Sequence, residues 1–299
     1  MRLRVGTASF SLYYLSFCVF WSAGDGAHKG NDPRTKVTAK WVQGVRRMGL
    51  NLNTNPPQVD VERARQHRPS IVIVYPVKVI DGRRVVMHGA GSGFIISSTA
   101  DGKCIVLTCR HVVKGSKGFD PATDLLRIRF LQGVEEDMQG QLILEDPFLD
   151  IAFILVSNMP IMLPALRFAP GVDLPVGTPV FLLGNCFLEQ LPGCDIQTAI
   201  MPTIPTVSPG GISAPCKVEY GPHITRREIQ FTCPNKAGYS GSPLLHEEKV
   251  IGILGHGAYQ ASLAVCTENL ITFLETRLGV DEGTIPVEDL IQMLYQYRT

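Results

Sequence analysis

The chain has no Cys-x-x-Cys pair and no cysteine–histidine cluster at zinc spacing. That excludes the common structural zinc folds and gives no reason to expect a metal or any other cofactor. It has no Asn-x-Ser/Thr sequon, so nothing marks it for N-glycosylation. Neither sign of charge is in excess, with 28 Lys and Arg against 27 Asp and Glu. A nucleic-acid partner is therefore not expected. It also lacks a stable membrane span: the best candidate, Val5 to Gly24, is uncharged but short and carries several Ser and Tyr. Charged residues are only 18% and apolar ones 45%, which excludes a disordered chain. No fixed internal period marks a repeat protein.

Charge is nonetheless unevenly spread. The first fifty residues hold eight basic side chains against Asp25 and Asp32, and no acidic residue precedes Asp25. Two targeting readings fit this leader: an organellar transit peptide, or a secretory signal with Ser22-Ala23-Gly24 at the cleavage site. Residues 28–68 are polar and basic, with Pro56-Pro57, and read as a poorly ordered extension, so that 1–68 forms leader and extension together. The eight cysteines read mostly as buried thiols, a count compatible with one disulfide.

From Ser70 the pattern changes. Ile71–Tyr75, Gly93–Ile96, Cys104–Thr108, Leu126–Phe130, Ile151–Val156, Thr178–Leu183, Glu228–Thr232 and Val250–Leu254 are β-branched and aromatic runs bounded by Gly, Pro and Ser. With no helices between them, they predict antiparallel barrels or a sandwich. Helical periodicity appears only late. Leu270, Phe273, Leu274 and Leu278 share one face, with Thr267 as the expected N-cap and Gly279 as C′. A second helix is expected over about 287–297.

Chemistry concentrates in NKAGYSGSPLL, residues 235–245, where Ser240 lies between Gly238 and Gly241. A serine hydroxyl becomes nucleophilic when an imidazole takes its proton. His111 is the candidate, because it closes the apolar run VLTC. The imidazole needs a carboxylate to hold its tautomer. Asp150 fits, opening DIAFILV, with Asp120, Asp124 and Asp146 as rivals. The order His, Asp, Ser matches one of the known arrangements of such triads. A cysteine-based alternative through Cys109 or Cys233 is poor, since neither sits in a Gly-x-Cys-Gly setting.

On these residues the chain resembles the protease domain of the Deg/HtrA branch of trypsin-like serine peptidases. The segments that carry the likeness are GSGFIISSTADGKCIVLTCRHVVKG, DIAFILV, PALRFAPGVDLPVGTPVFLLGNCF, EIQFTCPNKAGYSGSPLL and ASLAVCTENLITFLETRLG. The resemblance implies an all-β fold of two six-stranded antiparallel Greek-key barrels with one or two C-terminal helices. The barrels would occupy 69–165 and 166–279, with a helical tail over 280–299. It implies a serine endopeptidase in which Ser240 attacks, His111 moves the proton and Asp150 orients the ring. The N–H groups of Gly238 and Ser240 would form the oxyanion hole. Gly255, His256 and Gly257 would line the substrate pocket, where His256 is either a selector of polar side chains or a bystander. It further implies polypeptide substrates, unfolded chains among them, and a trimeric assembly. Only twenty residues follow Gly279, too few for the PDZ domain many relatives carry. Tyr239 and Ser242 stand where relatives have Asn and Gly. They keep open an alternative, a catalytically impaired barrel that binds or scaffolds.

Overall fold

The computed structural model describes residues 58–297, apart from short stretches at 81–82, 87–89, 115–118, 121–122, 170–172, 187–203, 221–224 and 259–260. The proposed leader lies outside the described residues. Residues 58–66, read from sequence as the end of the extension, form helix α1 (Gln58–Gln66).

Thirteen strands follow: β1 (Ile71–Ile80), β2 (Arg83–Val86), β3 (Gly91–Ser98), β4 (Cys104–Cys109), β5 (Leu125–Phe130), β6 (Met138–Asp146), β7 (Ile151–Val156), β8 (Pro179–Gly184), β9 (Thr206–Tyr220), β10 (Thr225–Phe231), β11 (Pro243–His246), β12 (Lys249–Ala258) and β13 (Ala261–Cys266). Among the described residues, helices α2 (Arg110–Lys114), α3 (Thr267–Leu278) and α4 (Val287–Met293) and a 3-10 turn at Arg68–Ser70 complete the set.

The strands close two antiparallel barrels of six. The first runs β1-β3-β4-β7-β6-β5 and is sealed by β1 against β5, with β2 added to the outer end of β1. The second runs β8-β9-β10-β13-β12-β11 and returns to β8. Both barrels thus have one winding: first, second and third strands adjacent, then sixth, fifth and fourth. Closure removes the free edges that a flat sheet would leave.

Burial explains why the sequence shows two kinds of strand. In β5 the residues alternate, with Leu126, Ile128 and Phe130 inward and Arg127 and Arg129 half-buried on the other face. Strands β3, β4 and β7 are buried on both faces, and β4 and β7 read as nearly unbroken apolar runs. Their outer face is covered by the end of the chain. Phe273 of α3 stacks on Phe153 of β7 with ring centroids 6.2 Å apart. Gln292 and Tyr295 both donate to Ser97 Oγ on β3, at 2.9 and 3.0 Å. Leu270, Leu274, Leu290, Ile291 and Leu294 join the same apolar cluster as the first barrel's interior. Burying each such side chain is worth about 1.5–3 kcal/mol.

The late helices differ in detail from their sequence signals. Gly279 ends α3 in the left-handed region (φ 68), as its position predicts. The N-cap is Cys266, because the Thr267 hydroxyl bonds the Ala169 carbonyl at 2.8 Å instead. Helix α4 stops at Met293 and continues only as turns.

Candidate active site

Three connections converge at one end of the interface between the barrels. Strand β4 runs directly into α2, whose second residue is His111. A tight turn joins β6 to β7 and ends at Asp150. The turn between β10 and β11 carries Ser240.

Asp150 is held with φ 57, in the left-handed region that few non-glycine residues occupy. Its carboxylate is engaged at both oxygens. Oδ1 accepts the His111 backbone N–H at 2.9 Å, and Oδ2 lies 2.6 Å from His111 Nδ1. The Arg110 N–H donates to the Asp150 carbonyl at 3.0 Å. An acceptor so close to Nδ1 keeps the proton there and leaves Nε2 as the basic nitrogen. The rivals are used locally. Asp146 Oδ1 accepts the N–H groups of Phe148 and Leu149 at 2.9 and 2.8 Å. Asp124 accepts the Asp120 N–H at 2.9 Å within their own loop.

The Ser240 turn is fastened to the first barrel. Ser92 donates its N–H to the Ser240 carbonyl at 2.9 Å and its hydroxyl to the Gly238 carbonyl at 2.8 Å. Asn185 N–H in turn donates to Ser92 Oγ at 2.8 Å, and Asn185 Nδ2 reaches the Val72 carbonyl at 3.0 Å. Gly241 has φ 85, and an added Cβ there would lie 2.4 Å from Thr108 Oγ1 and 3.1 Å from the Cys109 nitrogen. The turn thus sits against the last residues of the strand that presents His111. Gly238 has φ 95, and among the described residues neither its N–H nor that of Ser240 donates to a backbone or side-chain acceptor. Among the described residues Ser240 Oγ likewise makes no hydrogen bond to His111.

The two departures from the family pattern are absorbed inside the second barrel. Tyr239 is 3% exposed, packs with Val180, Phe231 and Leu254, and meets Ser208 Oγ with its hydroxyl at 3.1 Å. Ser242 faces Gly184 of β8. A Cβ on Gly184 would come within 1.8 Å of Ser242 Oγ. The missing side chain on β8 therefore makes room for the extra one in the turn before β11.

His256 lies on β12 beside the cleft, its ring 6.1 Å from that of His111 and tilted by 39°. Desolvation lowers its pKa first, Arg226 and His111 push the same way, and Asp150 and Glu228 oppose them. Gly255 precedes it, and Gly257 pairs with Ser262 of β13. Cys109 Sγ, His111 and Asp150 bring potential metal ligands within 4.8 Å of one another. Yet the Cys109 thiol is buried and bonds the Leu254 carbonyl at 3.1 Å. Burial, with Asp150 adding to it, pushes that thiol well above its ordinary range. Cys233 is pushed up to about 12, also by burial. Neither cysteine offers a thiolate as nucleophile or ligand.

Residues 91–253 match the family model described as trypsin-like peptidase domain, more than half of the chain. The chain belongs to the trypsin-like peptidase family. Solved structures of the Rv3671c protease from M. tuberculosis share the fold. The active form is 20% identical, with TM-score 0.52 over 76% of this chain and 88% of that one. A serine-to-alanine mutant in an inactive form is 21% identical, with TM-score 0.52 over 78% and 96%. A comparison with curated proteins returns no match. Family membership supports a peptidase acting on polypeptides. Among the described residues no helix is long and apolar enough to cross a membrane.

Sequence reasoning passed over Ser92 and Asn185 as individual residues, although both fall in segments that carry the family resemblance. It missed Arg226 altogether. Its only trace is the charge alternation of Arg226 and Glu228, on the face of β10 opposite Ile229 and Phe231.

Proposed function

We propose that this trypsin-like peptidase is a serine endopeptidase with Ser240 as nucleophile, His111 as general base and acid, and Asp150 as the orienting carboxylate. The observation that carries the reading is the 2.6 Å contact between His111 Nδ1 and Asp150 Oδ2, which leaves Nε2 as the nitrogen able to accept a proton. Ser240 Oγ attacks the scissile carbonyl carbon, and its proton passes to His111 Nε2. The N–H groups of Gly238 and Ser240 take up the charge on the carbonyl oxygen; one such donor contributes about 10²–10³ in rate. The imidazolium returns the proton to the leaving amine, and an ester on Ser240 remains. Water then hydrolyses it by the same steps in reverse. His111 and Ser240 come into hydrogen-bond contact when substrate binds, as catalytic pairs commonly do.

The second reading is a barrel that holds polypeptide without cutting it. It is favoured by the lack of a Ser240–His111 hydrogen bond among the described residues. A fluorophosphonate probe separates the two. Wild-type protein labels at Ser240, while Ser240→Ala and His111→Ala neither label nor cleave peptide, and both melt within a few degrees of the parent. A folded wild-type protein that stays unlabelled supports the binding reading instead.

A further inference from the structure

Arg226 and Glu228 are two buried charges on β10, 8% and 4% exposed, on the face opposite the core residues Ile229 and Phe231. Charges are rarely buried so deeply without a specific set of partners. Within the strand, Arg226 Nε and Nη2 both donate to Glu228 Oε1, at 3.0 and 2.6 Å. Lys217 Nζ lies 3.6 Å from Glu228 Oε2. A pair of this kind would suffice to neutralise both charges within the second barrel. The guanidinium does more. Its third nitrogen, Nη1, donates to the Phe148 carbonyl of the first barrel, at 2.5 Å.

Phe148 belongs to the turn that ends at Asp150. From its own barrel that turn is held at Phe148 and Leu149, whose N–H groups Asp146 Oδ1 takes, and at Asp150, whose carbonyl accepts the Arg110 N–H. Arg226 takes the carbonyl on the other side of the same peptide run, two residues before the carboxylate. Asp150 itself has the sparsely populated positive φ, a conformation that persists only where the surroundings fix it. The arginine passes beneath Gly255, where an added Cβ would lie 3.8 Å from Nη2. Its charge reaches the site, working against Asp150 at both the Cys109 thiol and the His256 ring.

We propose that Arg226 is a positioning residue, which sets the Asp150 turn from the opposite barrel and so couples docking of the two barrels to the orientation of His111. The proposal rests on the reading of Asp150 and His111 given above. When the barrels separate, the Phe148 carbonyl loses its donor, and the turn relaxes toward conformations without the left-handed residue. The imidazole then loses its fixed acceptor. A misplacement on the order of 1 Å at a catalytic group costs about 10²-fold in rate. Such a link lets the cleft become competent only when both of its walls are seated.

The test uses the full chain. Arg226→Met combined with Glu228→Gln removes the clasp without leaving a bare buried carboxylate. Arg226→Lys keeps a donor of shorter reach. Lys217→Met removes the other cation near Glu228 and leaves Phe148 untouched. Peptide turnover, melting temperature and the downfield proton resonance of His111 Nδ1–H are measured, the last in a Ser240→Ala background. The double variant is expected to lose about 10- to 100-fold in kcat with KM within about twofold, and to shift or broaden the resonance. Arg226→Lys should recover part of both, and Lys217→Met should behave as wild type. A double variant with normal kcat and an unshifted resonance, whatever its melting temperature, overturns the proposal. Should the double variant not fold, Arg226→Lys decides alone: wild-type turnover together with a wild-type resonance overturns it. Should wild-type protein lack turnover, the peptidase reading falls, and the resonance still tests the clasp.

Discussion

Replacing Asp150 with asparagine is the sharpest test of the site, because the structure limits what else changes. Asparagine is among the few residues at ease with positive φ, so the backbone at φ 57 has no reason to move. The side chains have the same shape. What changes is the hydrogen-bonding code at two acceptors. The amide oxygen can keep the His111 N–H now bound by Oδ1 at 2.9 Å. The amide nitrogen then faces His111 Nδ1, now 2.6 Å from Oδ2, and donates to it. Nδ1 becomes an acceptor, the proton moves to Nε2, and the base can no longer take a proton from Ser240. The expected loss is about 10⁴ in kcat, equivalent to about 5.4 kcal/mol of transition-state stabilisation. One charge-assisted hydrogen bond lost costs about 1–3 kcal/mol of stability, a fraction of a typical domain's total. The assay is steady-state peptide cleavage beside a thermal melt. An Asp150→Asn enzyme that folds and turns over within tenfold of the parent would refute the assignment of both residues.

Two further outcomes follow from contacts elsewhere in the second barrel. Gly184→Ala places a Cβ 1.8 Å from Ser242 Oγ and should destabilise by about 1–3 kcal/mol through overpacking. Ser242→Gly in the same chain should restore most of that, and strictly additive effects in a denaturant-melt cycle would show that the two positions do not share this space. His256 has its pKa lowered from 6.5, chiefly by desolvation, so below 6.5 the unfolded chain binds the proton more readily than the folded one. Stability therefore falls as pH drops through that window toward the folded value. His256→Gln should make the melting temperature less dependent on pH there, and an unchanged slope counts against the placement of this ring.

Eight strands were legible because a β-branched run bounded by turn residues has few other uses, while β2, β6, β9 and β11, richer in charged residues, Gly, Pro and Ser or very short, were not. His111 and Asp150 stood out because one closes and the other opens such a run, and Ser240 because glycines frame it. What stayed hidden depends on pairs distant in sequence. Nothing in β8 announces that Gly184 exists for Ser242, and nothing near Arg226 points to a carbonyl 78 residues earlier. The capping role expected of Thr267 failed for the same reason: its hydroxyl found a carbonyl of another segment. The two-faced burial of β4 and β7 could not be assigned from local pattern either, since the helices that cover the first barrel lie more than a hundred residues later in the chain.

That covering arrangement has a consequence for biosynthesis. The outer wall of the first barrel is made early in translation, and the α3 and α4 side chains that shield it emerge last. Until Leu294 has left the ribosome, the wall around Phe153 and Ser97 faces water bare. A nascent chain stalled after β13 would carry every residue of the cleft and still expose an apolar surface that invites chaperones or aggregation. Truncations just before Thr267 should therefore be recovered from cells as insoluble or chaperone-bound material rather than as a working core.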